Sequence, residues 1–239
     1  MLAKRIIPTV LVRGKTAYKG PGFGDACARS VGSALSICRT HASRGVDELT
    51  ILDIAATKEG RGPDLDMVRQ LSEGCFIPIT VGGGVRSLGD IDALLRAGAD
   101  KVAVCSIHRE DPDFVERAAD RFGSQAIVAV IEHNSGLGNV GKIFFIPYKA
   151  GEIMLQCRDL EGTMDGYHLG MLKILQGLRQ PLESPIIVSG GCSGPADMLA
   201  AFQAGADACA AGALFQFTDT TPRDCSEYMR AHGVEMRCA

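Results

Sequence analysis

Tryptophan is missing from this sequence, and aromatic residues of all kinds fill only 5% of its 239 positions. The hydrophobic content, 46%, is mostly aliphatic, and 29 glycines accompany it. That balance suits parallel strands covered by helices better than an antiparallel sandwich. An excess of positive charge is also lacking. The net charge is −3, so nothing favours nucleic acid as a partner. No apolar run is long enough to span a bilayer, and MLAKRIIPTV lacks the apolar stretch and cleavage site of a secretory signal. Paired cysteine spacing is absent too. The nine cysteines are odd in number and scattered, none stands in a CxxC pair, and the five histidines show no ligand spacing. Cys105, Cys157, Cys192 and Cys209 fall at or near apolar strands, where a thiol behaves as a small hydrophobe. The expectation is a cytoplasmic protein with reduced structural thiols, no metal and no cofactor, and no membrane association. A reactive or metal-bound cysteine is the lesser alternative.

What is present is an alternation. Strand-like runs cover Arg5–Val12, Glu48–Ile54, Ile77–Val81, Lys101–Cys105, Ala126–Ile131, Glu152–Cys157, Pro185–Ser189 and Asp207–Ala211. Helical periodicity fits Gly32–Arg44, Leu65–Glu73, Gly89–Ala97, Pro112–Phe122, Gly170–Leu178, Ala196–Ala204 and Arg223–His232. This pattern predicts a single (β/α)₈ TIM barrel domain over residues 1–239, with an open doubly wound sheet as the alternative. The interval HNSGLGNVGKIFFIPYKAG is glycine-rich, contains Pro147 and shows no amphipathic helix, so the fifth helix is expected to be short or missing.

The chain repeats itself. Val81-Gly82-Gly83-Gly84 opens a segment ending in AGADKVAV, and Val188-Ser189-Gly190-Gly191 opens one ending in AGADACAA, with no gap between the two alignments. LDIAATKEG at Leu52–Gly60 is echoed by RDLEGTMDG at Arg158–Gly166. Two half-barrels of four βα units each explain this. Each glycine-rich turn lies past a strand and before a helix, where free N–H groups can hold an anion. Two readings are open: paired phosphate sites across one mouth, or tight βα turns and nothing more. On the first reading Ser106, Gly162 and Gly212 join Gly82, Gly83, Gly84, Gly190 and Gly191 as candidate phosphate-binding residues of a phosphorylated small molecule.

Arg5, Glu48, Lys101 and Glu152 each begin an expected strand. With period-two alternation, Arg5, Ile7, Thr9 and Leu11 share a face, as do Lys101, Ala103 and Cys105, and Glu152, Met154 and Gln156. If that face points inward, two cations and two carboxylates form a ring at the N-terminal opening. Solvated strand ends are the bland alternative.

MLAKRII, GVDELTILDI, IPITVGGGVRS, AGADKV, FGSQA, AGEIML, EGTMDGY and the SGG–AGADA segment together resemble the cyclase subunit of imidazole glycerol phosphate synthase. The likeness covers the chain apart from the interval before Glu152. It implies a (β/α)₈ barrel docked by its N-terminal face onto a class I glutaminase, with ammonia passing up the barrel to a bisphosphate substrate. It places the family's ammonia gate on Arg5, Glu48, Lys101 and Glu152, its docking aspartate on Asp100, its phosphate glycines on Gly83 or Gly84 and Gly190 or Gly191, and its first-loop lysine on Lys19.

The departures matter as much. The family's two catalytic aspartates correspond to Leu11 and Glu132. Ring closure needs a placed acid and base. Leucine can be neither, and the extra methylene of glutamate moves its carboxyl. Cys105-Ser106 and Ala213 replace polar phosphate contacts, and the family's long β-hairpin and fifth helix look cut down. The floor is kept while the top is altered. This resembles diverged cyclase-like subunits that accompany a glutaminase and a separate sugar amidotransferase in surface-polysaccharide pathways. Two functions follow as expectations. One is an ammonia-channelling subunit with doubtful cyclase activity. The other is an active cyclase-lyase of histidine biosynthesis that uses Glu132 and Lys19.

Overall fold

A computed structural model describes residues 3–23, 29–136, 149–177 and 183–237. Eight parallel strands close on themselves: β1 (Arg5–Arg13), β4 (Leu49–Asp53), β5 (Ile79–Gly82), β6 (Lys101–Val104), β7 (Ile127–His133), β8 (Glu152–Cys157), β9 (Ile186–Ser189) and β10 (Ala208–Ala211), with β10 paired back to β1. This is the (β/α)₈ barrel expected from the alternation. The helices around it are α1 (Ala34–Ser43), α2 (Leu65–Gly74), α3 (Leu88–Arg96), α5 (Phe114–Phe122), α6 (Gly170–Gln176), α7 (Pro195–Gln203) and α9 (Pro222–Ala231), with short turns α4 (Ile107–Glu110) and α8 (Ala213–Phe217) between strand and helix.

Strand alternation divides the core in two. Ile7, Ala103, Val128, Val130, Met154, Ile187, Ala208 and Ala210 fill the barrel interior. Their neighbours in sequence, such as Ile6, Val102, Ile127, Ala129, Ile153 and Cys209, pack outward with the helices. Three of these interior residues are alanines. Thr9, Leu11, Thr50, Thr80 and Gln156 are buried on the same inward strand faces.

The two half-barrels reproduce each other in detail. Asp100 Oδ2 accepts the N–H of Ile79 at 2.8 Å, and Asp207 Oδ2 accepts that of Ile186 at 3.0 Å. Asp90 accepts the N–H of Arg86 at 3.0 Å, and Asp197 that of Ser193 at 2.7 Å. The AGAD segments are thus strand braces, and the aspartates at the helix starts tie down the turns after β5 and β9. Ser87 and Asp90 complete a capping box on α3.

One helix boundary needs correction. An antiparallel hairpin follows β1: β2 (Thr16–Lys19) pairs with β1 and with β3 (Arg29–Ser33). Gly14, with φ 54°, makes the tight turn that starts it. The helix expected from Gly32 therefore begins at Ala34, because Gly32 and Ser33 belong to β3. The short or missing fifth helix concerns residues 137–148, which lie outside the described residues, as does Leu178 at the end of the expected sixth-unit helix.

Candidate functional site

At the N-terminal opening the four strand-end charges meet. Arg5 bonds Glu48 at 2.9 Å and Glu152 at 2.6 Å, and Lys101 bonds the same two carboxylates at 2.9 and 2.8 Å. Signs alternate around a closed ring. Glu48 is nearly inaccessible and also accepts the Thr80 hydroxyl at 2.8 Å. Burial works against the Arg5 charge, but Glu152 and Glu48 outweigh it and raise its pKa. Such mutual pairing is what allows four charges to share a narrow, half-dry opening. Asp100 is exposed beside it, with one carboxylate oxygen used in the strand brace and no ion pair among the described residues. Its repeat partner Asp207 instead pairs with Lys4 at 3.0 Å.

The C-terminal mouth is built differently. Lys19, carried in by the hairpin, is buried, and its ammonium donates to the Thr9 carbonyl at 3.1 Å and lies 3.7 Å from Glu161. Glu161 is buried as well and accepts the Gln156 amide at 3.1 Å. Burial lowers the Lys19 pKa, with Glu161 acting in the opposite sense. The hairpin end is seated on this network, since Gly22 N–H donates to the Glu161 carbonyl at 2.9 Å. Leu11 is buried on β1, in register with Leu52, and brings no proton-transfer group.

Glu132 points toward the mouth, but it is not a free carboxylate. Arg109 and Arg158 both pair with its Oε2, the latter at 3.7 Å. Cys105 sits beside them, its thiol pushed up to about 12 by burial and by the Glu132 charge. Across the mouth, Asp53 is buried and accepts the N–H groups of Ala55 and Ala56 at 3.0 and 3.1 Å, while Arg61 clasps its other oxygen at 2.7 Å.

The glycine turns are tightly packed against neighbouring backbone. A Cβ on Gly83 would lie 2.4 Å from the Asp53 carbonyl oxygen, on Gly84 2.9 Å from that of Arg61, on Gly190 2.3 Å from that of Cys157 and on Gly191 2.2 Å from that of Gly166. Gly82 is similarly pressed against Ala103, and Gly162 against the Gly20 carbonyl. Lys19 Nζ lies over Gly212, 1.8 Å from where a side chain would begin. The cleft lined by Gly190, Gly191 and Gly212 measures about 10 Å³, room for about one water. Ser106 starts α4 without capping it.

Sequence reasoning named Lys19, Glu132 and the ring residues but missed Glu161, Arg109, Arg158 and the Asp53–Arg61 pair. Gln156 had a signal, its place on the face shared with Glu152 and Met154. Arg109 had none, because the barrel alone brings it to Glu132.

A family description for histidine biosynthesis proteins matches residues 5–221. The chain is also 38% identical, over 252 residues and 99% of both chains, to a protein of Campylobacter jejuni subsp. jejuni serotype O:2 named "Putative imidazole glycerol phosphate synthase subunit hisF2". With its closed barrel and full-length match, the chain belongs to the histidine biosynthesis protein family, as a relative of the cyclase-type subunit of imidazole glycerol phosphate synthase.

Proposed function

We propose that this chain docks a class I glutaminase on its N-terminal face and passes ammonia up the barrel, with little cyclase activity of its own. One observation carries the reading: the floor ring is complete, while Leu11 and the arginine-clamped Glu132 leave the mouth without a matched acid and base. The four ring contacts close on one another, so on this reading a neutral molecule passes when a bridge swings open. Above them the apolar cluster around Ile7, Val128, Val130, Met154 and Ile187 favours ammonia over ammonium, whose charge is costly there. Asp100, free of ion pairs among the described residues, and Phe76, 94% exposed just before β5, support a docking surface on that side.

Ammonia leaving the mouth reaches an acceptor there or on a further enzyme such as a sugar amidotransferase. The glycine turns and Ser106 supply N–H and hydroxyl donors for a phosphorylated ligand, once Lys19 lifts from Gly212. The setting is the cytoplasm, where free glutamine and a glutaminase are at hand.

The second reading is a working cyclase. It is favoured by the buried Lys19 at the mouth, whose lowered pKa is the condition of a group poised for proton transfer. Glu132 would then have to leave its two arginines to act as the partner base.

Docking is tested by co-purification with the cognate glutaminase and by its rate of glutamine hydrolysis. Asp100→Asn keeps an oxygen for the Ile79 N–H and removes the charge. The reading predicts weaker binding by this variant with an unchanged melting temperature. Equal binding by parent and variant, or none by the parent, contradicts it.

A further inference from the structure

His133, Cys157 and His168 each turn a donor atom toward one point, with all three atoms within 4.8 Å of one another. No local spacing joins them; the barrel does. His133 and Cys157 are the last residues of β7 and β8 and stand in register. Glu132 and Gln156 face the interior, so their neighbours face the helical layer. His168 closes the triangle from the segment ahead of α6.

We propose that these three residues bind one zinc ion, a site distinct from the floor ring and the mouth. Two imidazoles and a thiolate are a donor set of borderline softness, which selects zinc over magnesium or calcium. In a tetrahedral zinc site such donors stand roughly 3.3–3.7 Å apart, as bonds of 2.0–2.3 Å require. Side-chain rotations of about 1 Å supply the difference.

The surroundings point the same way. His133 and Cys157 are buried, and His168 Nδ1 is buried with no hydrogen-bond partner among the described residues. An orphaned ring nitrogen is costly unless something binds it. The His133 and His168 rings are tilted by 44° at 5.3 Å between centroids, so they do not stack flush. Asp159 Oδ1 accepts the Cys157 thiol at 3.2 Å, and Asp159 is itself held by the Ser135 N–H at 2.9 Å. On binding, the thiol releases its proton to solvent. The thiolate and the Asp159 carboxylate then balance the two charges of the ion, and water fills the fourth position. The ion would pin the ends of β7 and β8 to the loop before α6. Those ends carry Glu132 and Arg158, so the mouth would be positioned by it.

This site stands independently of the ammonia reading. The test uses the full-length chain, stripped with a chelator and titrated with Co(II), then with Zn(II) in competition. The expected result is one Co(II) per chain with a thiolate-to-cobalt charge-transfer band, displaced by zinc. Cys157→Ser should abolish the band, and the half-exposed His168→Gln should weaken binding by about tenfold or more. Cys105→Ser should leave both unchanged. Circular dichroism melts identify variants that are folded. No stoichiometric cobalt on the folded parent, or an unaltered band in folded Cys157→Ser, overturns the proposal.

Discussion

Lys101 is the residue whose loss would tell most about the floor. It bonds both Glu48 and Glu152, so Lys101→Ala leaves two buried carboxylates to share Arg5. An uncompensated buried charge of this kind costs about 3 kcal/mol. Denaturant unfolding should show that loss, and glutamine hydrolysis in the complex should run without matching ammonia use. His41 makes a second residue-scale prediction. Burial lowers its pKa from 6.5 to about 4, helped by the Arg44 and Lys19 charges. The folded state therefore resists protonation that the unfolded state accepts. Its neutral form costs nothing above pH 6.5, and the destabilisation builds as pH falls from 6.5 to 4, reaching at most about 3 kcal/mol. Comparing unfolding free energies at pH 7 and 4.5 in the parent and His41→Leu isolates this part. The variant should lose less stability on acidification; an equal loss would mean that other groups carry it.

At the scale of elements, the βα turns are the least tolerant parts of the fold. Gly190 has φ 94° and a backbone oxygen 2.3 Å from any added Cβ, so Gly190→Ala should cost more than about 2 kcal/mol. Gly14 also has positive φ, 54°, but nothing lies within 4 Å of its would-be side chain. Gly14→Ala should cost about 1 kcal/mol. Melting curves that rank the two in reverse would contradict the packing account of these turns. The same elements show what the sequence made legible. Barrel strands were readable because each is a short apolar run, several of them with a charged residue at the start. β8, Glu152–Cys157, was bounded correctly by its charge and its terminal thiol. The β2–β3 hairpin was not, because β2 buries only Ala17 and Lys19 and β3 is exposed or half-buried, so no apolar alternation marks it. The ring charges were visible as strand starts. The arginines on Glu132 and the His133–Cys157–His168 cluster were not, since contacts between neighbouring βα units leave no period in the chain.

For the whole molecule, the central claim is a division between a complete floor and an incomplete mouth. One general acid or base commonly contributes about 10²–10⁴-fold in rate. On the proposed reading Leu11 stands in place of one such group, and Arg109 and Arg158 hold the other, Glu132. Groups that act as a unit do not combine additively, so Leu11→Asp alone should not restore full activity. The most direct measurement supplies saturating ammonium salt at alkaline pH, with no glutaminase, and follows consumption of the phosphorylated ribulosyl carboxamide substrate. The account predicts no turnover above background for the parent chain and only slow turnover for Leu11→Asp. Turnover by the parent at about 1 s⁻¹ or faster, abolished by Glu132→Gln, would contradict it and make the chain a cyclase with a rebuilt site.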